Sequence, residues 1–294
     1  MPVASLSNSK SNYLVMGRDS DRAPLLMIHG LAANLAFWMP AVQLLPQDRR
    51  MVIYDLRGHG RSSMPPAGYT PTNFAQDLHE LVAHLGLDRF VLVAHSFGGS
   101  VALEYAQTHP ECVAGLILAD ARIRRLQPAQ SVREWPDWPR LEQKLAGLGA
   151  SLTADDPEIG YRILTELARL RLRTSDGEEG LPKWVSEFFG HGGSRFSAMQ
   201  WLSLIEQTTA WHDLMSLESF SVESLRHMTL PSLAVYGENS SVLATLRELQ
   251  TLWPHLDTKI IPHAGHFFPL TKAKELADHM TAFLSRLPPL GAAV

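Results

Sequence analysis

A single cysteine, Cys112, in 294 residues has no partner, so an intrachain disulfide framework and a cysteine-clustered metal site are both excluded. The lone thiol reads as a buried structural residue and fits a reducing compartment. Basic runs are equally scarce: no more than two Lys or Arg stand side by side, and the formal net charge is −4. That leaves no electrostatic footprint for nucleic acid or an anionic membrane, so neither is expected as a partner. Long apolar runs are missing too. No segment approaches the roughly 18 apolar residues of a membrane span, and residues 1–12 are polar and serine-rich without the apolar core of a signal peptide. A cytoplasmic location is the expectation. No internal repeat or low-complexity tract interrupts an otherwise ordinary globular composition, which leaves one large domain with an insertion as the prior.

Short apolar runs alternate with helical patterns through the first 120 residues, as βαβ units and a mostly parallel sheet require. The runs at 24–28, 51–54, 89–94 and 113–119 read as strands, with an edge strand near 13–16. Phe74, Leu78, Leu81, Val82 and Leu85 fall at helical spacing between a Thr70-Pro71 start and a Gly86 stop. From about residue 122 to 230 no strand is convincing, and amphipathic stretches such as 159–172 and 198–209 predict a helical insertion. The α/β pattern then returns, with strands at 232–236 and 258–261 and helices over 242–253 and 272–286. This is a split domain: 1–121 and 231–294 form the α/β core, and 122–230 an insert.

The stretch that carries most chemistry is Ala94-His95-Ser96-Phe97-Gly98-Gly99. A serine between a buried strand and a small-residue helix start is mounted as a nucleophile, because the sharp turn holds its Oγ away from the backbone. In open parallel sheets the site lies beyond the carboxyl ends of the strands. Three more strand ends are rich in reactive groups: His29-Gly30-Leu31, the stretch from Asp55 to Ser62, and His263-Ala264-Gly265-His266-Phe267.

In this order and spacing the four motifs resemble the α/β-hydrolase superfamily, and within it the helical-capped branch of esterases and haloperoxidase-like proteins. The resemblance covers roughly residues 24–120 and 231–287. It implies an α/β-hydrolase fold, with a mostly parallel eight-stranded sheet flanked by helices and the insert at 122–230 as a helical cap. It further implies Ser96 as nucleophile, His266 as its base, and the backbone N–H groups of Leu31 and Phe97 as the oxyanion hole. A serine hydroxyl needs such a base at neutral pH, and pre-aligned donors stabilise the charge that builds on the carbonyl oxygen. His29, His95, His263 and the Asp55 loop read as structural.

The third member departs from the family pattern. The place of the usual acid, three residues beyond Gly237, is held by Ser240, which cannot carry the charge that stabilises an imidazolium. Asp120 ends the neighbouring strand, and adjacent strands lie only about 4.8 Å apart, so it is the first candidate. Glu238, Asn239 as a neutral orienter, an acid of the insert such as Asp213, and pairing of Asp120 with Arg122 or Arg124 remain open.

Serine at the elbow excludes the aspartyl-ester chemistry of epoxide hydrolases and dehalogenases. The expectation is therefore a cofactor-free, metal-free serine esterase acting on an ester, thioester or activated carbonyl. An acyltransferase, a carbon–carbon bond hydrolase and a non-catalytic ligand-binding relative are the rivals. The insert is rich in aromatics: Trp135, Trp138, Trp184, Trp201, Trp211, Phe188 and Phe189, with Met199 nearby. Some of these are expected to wall an apolar pocket over Ser96. The acidic stretches 155–156 and 176–179 read as solvated loops. No recognisable cluster of Arg or Lys faces the site, so the expected partner is a small molecule with an apolar, neutral or weakly polar acyl group.

Overall fold

The computed structural model describes residues 1–128, 132–133, 138–147, 149–173 and 194–291. Eight strands form one sheet: β1 (Val3–Ser5), β2 (Lys10–Met16), β3 (Leu25–Ile28), β4 (Met51–Tyr54), β5 (Phe90–His95), β6 (Val113–Ala119), β7 (Ser232–Gly237) and β8 (Asp257–Ile261). Their order is β1-β2-β4-β3-β5-β6-β7-β8. β1 and β2 pair antiparallel, β2 joins β4 antiparallel, and every other pairing is parallel.

The central strands are apolar throughout because both faces of the sheet are covered. Leu26, Ile28, Leu92, Ala94, Leu116 and Leu118 face one apolar cluster, while Leu25, Met27, Val91, Val93 and Ile117 face the other. Helices α1 (Pro71–Leu85), α2 (Gly98–Thr108) and α6 (Leu243–Leu252) cover the first face, and α7 (Ala273–Leu284) covers the second. α1 begins and ends where the sequence places it. The Thr70 side chain accepts from the Asn73 N–H, and Gly86 caps the end at φ +61°, a left-handed conformation that glycine adopts without strain.

Between β6 and β7 the described residues hold no strand. Helices α3 (Trp138–Gly147), α4 (Ile159–Arg173) and α5 (Ser194–Gln207) run there, and α4 packs on α5 through contacts that include Trp201 Nε1–H donating to Thr165 Oγ1 at 3.2 Å. Trp201 is buried in that packing, and Trp138 at the start of α3 is buried as well. Trp135, Trp184, Phe188, Phe189 and the acidic stretch 176–179 lie outside the described residues. No helix among the described residues is long and apolar enough to cross a membrane.

Two features were not expected from sequence. β1 falls inside the polar first dozen residues, where a three-residue edge strand with only Ala4 buried leaves no apolar alternation. Cys112 is half-buried against the core rather than enclosed, and desolvation still pushes its thiol pKa up.

A buried ion pair fixes the loop after β4 to α1. Arg57 Nε and Nη2 donate to Asp77 Oδ2 and Oδ1 at 2.6 and 2.5 Å, Ser9 Oγ donates to Oδ1, and Arg57 Nη1 donates to the Gly68 carbonyl. Asp77→Ala is expected to lower unfolding free energy by about 3–5 kcal/mol, since it strands a guanidinium in the core. Urea denaturation measures the loss.

Two enclosed histidines brace the same region. His29 Nδ1 donates to the Gly30 carbonyl at 2.7 Å while Nε2 accepts the Leu56 N–H at 3.1 Å, an arrangement only the neutral ring can make. Desolvation lowers its pKa to about 4, and that of neighbouring His59 to about 3. The unfolded rings take up protons near pH 6.5, before the folded rings do, so stability present above that pH is lost as pH falls toward 4. The loss from His29 alone is of order 3 kcal/mol. Thermal unfolding from pH 7 to 4.5 is expected to show a steep fall in Tm, shallower in His29→Gln.

Candidate active site

Four consecutive strands, β5 to β8, bring their carboxyl ends to one rim. Ser96 lies between β5 and α2 at φ +53°, in the left-handed region where a serine is strained. The turn is so close to β3 that a Cβ on Gly98 would sit 2.7 Å from the Ile28 carbonyl oxygen, which explains the small residue two places after Ser96. Asp120, the residue after β6, is likewise left-handed at φ +50° and fully buried. His266 comes from the loop after β8, with its side chain one-fifth exposed.

These three side chains form one hydrogen-bonded line. His266 Nδ1 lies 2.7 Å from Asp120 Oδ2, and His266 Nε2 lies 3.0 Å from Ser96 Oγ. A carboxylate only accepts, so Nδ1 carries the ring proton and Nε2 is left to accept from the Ser96 hydroxyl. The other lone pairs of Asp120 are also used: Gly237 N–H donates to Oδ1 at 2.8 Å, and Ser240 Oγ–H donates to Oδ2. The serine at the family's usual acid position thus supports the carboxylate one strand away.

The remaining candidates for the third member go elsewhere. Glu238 accepts the His263 N–H at 2.8 Å and is half-exposed. The Asn239 N–H donates to the Ala264 carbonyl. Asp213 accepts the N–H groups of Gly68 and Tyr69. Asp120 pairs with neither Arg122 nor Arg124.

Sequence reasoning gave His95 a packing role, and the structure adds a second. Its ring stacks on Phe37, with centroids 4.4 Å apart, and Nε2 donates to the His266 carbonyl at 2.9 Å, tying down the loop that carries His266. Desolvation, followed by the neighbouring His266, holds its pKa well below 6.5, so the ring is a neutral strut. The Asp55 carboxylate accepts from Leu35 N–H, Arg61 N–H and Asn12 Nδ2, which fixes the turn after β3 that carries Leu31. Among the described residues, no protein acceptor takes the N–H of Leu31 or of Phe97.

A cavity of about 610 Å³ opens over Ser96 and His266, bordered by Leu31 and Phe97. Its apolar wall comes from residues such as Leu141, Ile163, Leu164 and Val242, and none of Trp138, Trp201, Trp211 or Met199 lines it. The described indoles pack helices instead. The expectation that no basic cluster faces the site is corrected: Arg122, Arg124, Arg140 and Lys144 all line the cavity, with Glu218 as the acidic member. They lie 2 to 22 residues apart in sequence, and folding of α3 over the sheet end is what gathers them. Among the described residues, no group of three or more His, Cys, Asp or Glu is placed to hold a metal ion.

Comparison with known proteins agrees with this architecture. A family model described as the alpha/beta hydrolase fold matches residues 23–273. The 2-hydroxy-6-oxo-6-(2'-aminophenyl)hexa-2,4-dienoic acid hydrolase of Metapseudomonas resinovorans is 24% identical over 287 residues, covering 94% of this chain and 88% of that one. The sn-1-specific diacylglycerol lipase ABHD11 of Mus musculus is 26% identical over 280 residues, covering 93% and 85%. Among solved structures, a thermophilic esterase from Thermogutta terrifontis superimposes with a TM-score of 0.65 at 24% identity, over 95% of this chain and 94% of that one, a likeness of fold. Because the family match runs through β3 to β8 and all four strand ends that build the rim, this chain belongs to the alpha/beta hydrolase fold family, and the relatives just described are hydrolases.

Proposed function

We propose that the protein is a serine hydrolase that cleaves an ester, thioester or activated carbonyl through an acyl intermediate on Ser96, a carboxylic-ester hydrolase in its most direct form. The observation that carries this reading is the unbroken line from Asp120 through His266 to Ser96. His266 Nε2 takes the Ser96 proton as Oγ attacks, and the Asp120 carboxylate stabilises the imidazolium that results. The Leu31 and Phe97 N–H groups, free of protein acceptors, stabilise the oxyanion. His266 then gives its proton to the leaving group and next deprotonates the water that releases the acid. In this reading the helices of 122–230 form a cap over the core of 1–121 and 231–294, and the substrate is a small molecule whose apolar part lies against Ile163, Leu164 and Val242.

Carbon–carbon bond hydrolysis is a second reading, favoured by the 24% identity to the dienoic acid hydrolase over 94% of this chain. Turnover of a chromogenic ring-cleavage dienoic acid at a rate above that of simple esters selects it.

A fluorophosphonate is expected to label the wild type at Ser96, by mass spectrometry of the modified peptide, and to leave Ser96→Ala unlabelled. Failure of the wild type to label would overturn the acyl-enzyme reading. Asp120→Asn is expected to fold and to lose about 10³- to 10⁴-fold in kcat for a para-nitrophenyl ester, because the amide cannot stabilise the imidazolium. Near-normal kcat in that variant removes Asp120 from the mechanism.

A further inference from the structure

The four basic residues around the cavity are not equivalent, and Arg122 stands apart. Its backbone N–H donates to the Ser96 carbonyl at 3.1 Å, so its side chain departs beside the nucleophile and enters the same cavity wall. The guanidinium atoms Nε and Nη2 are covered from solvent and have no hydrogen-bond partner. Covered donors of a cation left unpaired cost free energy, which a matching acceptor recovers.

No carboxylate of the described protein provides that acceptor. Glu218, the acidic group of the cavity, is saturated by Ser100 Oγ–H and the backbone N–H groups of Arg124 and Arg125. Asp120 is used by His266, Ser240 and Gly237. The Tyr161 ring lies 5.7 Å from Arg122 Cζ and offers a π face to the charge. Arg124 turns its Nη1 to Met215 Sδ, while Arg140 on α3 is exposed and makes no ion pair among the described residues, adding positive charge at the edge of the same cavity.

We infer that Arg122 is the anchoring site for a carboxylate on the substrate, so that the molecule cleaved at Ser96 is an organic acid carrying a second, scissile carbonyl. A guanidinium fork matches a carboxylate with two parallel N–H···O bonds once the Arg122 side chain turns its covered Nε and Nη2 edge toward the cavity it lines. Set in a wall that also carries Arg124, Arg140, Lys144 and Glu218, it fixes one end of the substrate while Ser96 meets the other. This substrate class rests on the serine-hydrolase reading above; the anion site does not.

Two measurements separate them. In Ser96→Ala protein, glutarate is expected to raise the Tm, its neutral isostere glutaramide to do so far less, and the added Arg122→Met substitution to abolish the difference. In protein with Ser96 intact, kcat/KM for mono-para-nitrophenyl glutarate is expected to exceed that for para-nitrophenyl pentanoate by about 10- to 100-fold, the scale of hydrogen bonds to a charged group. Carboxyphenyl acetate against phenyl acetate, corrected for alkaline reactivity, tests a carboxylate on the leaving group. Arg122→Met is expected to collapse the anionic-to-neutral ratio in whichever series shows it. Arg122→Lys, which keeps the charge but loses the fork, retains part of that ratio and serves where Arg122→Met fails to fold. Equal scaling of both esters in these variants, or a glutarate shift indifferent to residue 122, overturns the inference. A glutarate shift that depends on Arg122 with neither ester turned over keeps the anion site and removes the hydrolase reading instead.

Discussion

A fully buried carboxylate is the constraint on which the site depends. Asp120 has no exposed surface, and a charge so placed persists only where donors satisfy it from several sides. Those donors come from the end of β7, the turn beyond it and the loop after β8. One negative charge therefore serves two ends: it sets the orientation and tautomer of the His266 ring, and it staples three neighbouring segments of the rim together. The left-handed backbone at Asp120 and at Ser96 belongs to the same arrangement, since each side chain must turn back over the end of its strand.

Neutral histidines supply much of the surrounding stiffness. His29 and His59 sit beneath the turn that carries Leu31, and His95 holds the carbonyl of His266. Burial keeps all three uncharged, so each works as a fixed donor or acceptor while His266 is the ring in hydrogen-bond reach of Ser96. Neighbouring imidazoles with different surroundings thereby take different tasks.

What could be read from sequence follows from how locally each feature is encoded. Central parallel strands are covered on both faces, so β3 to β6 stand out as apolar runs, and the turn at Ser96 announces itself by the small residues around it. α1 carries its own start and stop in Thr70 and Gly86. By contrast, β1 is too short for a pattern, and Asp77 on the inner side of α1 makes sense only beside Arg57, twenty residues away. Asp120 was a candidate from strand adjacency and family resemblance, but the support from Ser240 was not legible, because a serine looks like the loss of an acid until the carboxylate it donates to is in view. The basic wall of the cavity escaped for the same reason, its members being separated along the chain and gathered by helices crossing the sheet end.

The partners of His266 lie 146 and 170 residues back along the chain, on the far side of residues 122–230. Contacts of such separation close late, because the intervening loop entropy must be met before they form. During synthesis the residues of the Ser96 turn leave the ribosome long before the loop after β8 does. The hydrogen-bonded line from Asp120 through His266 to Ser96 therefore closes only when the final quarter of the polypeptide docks.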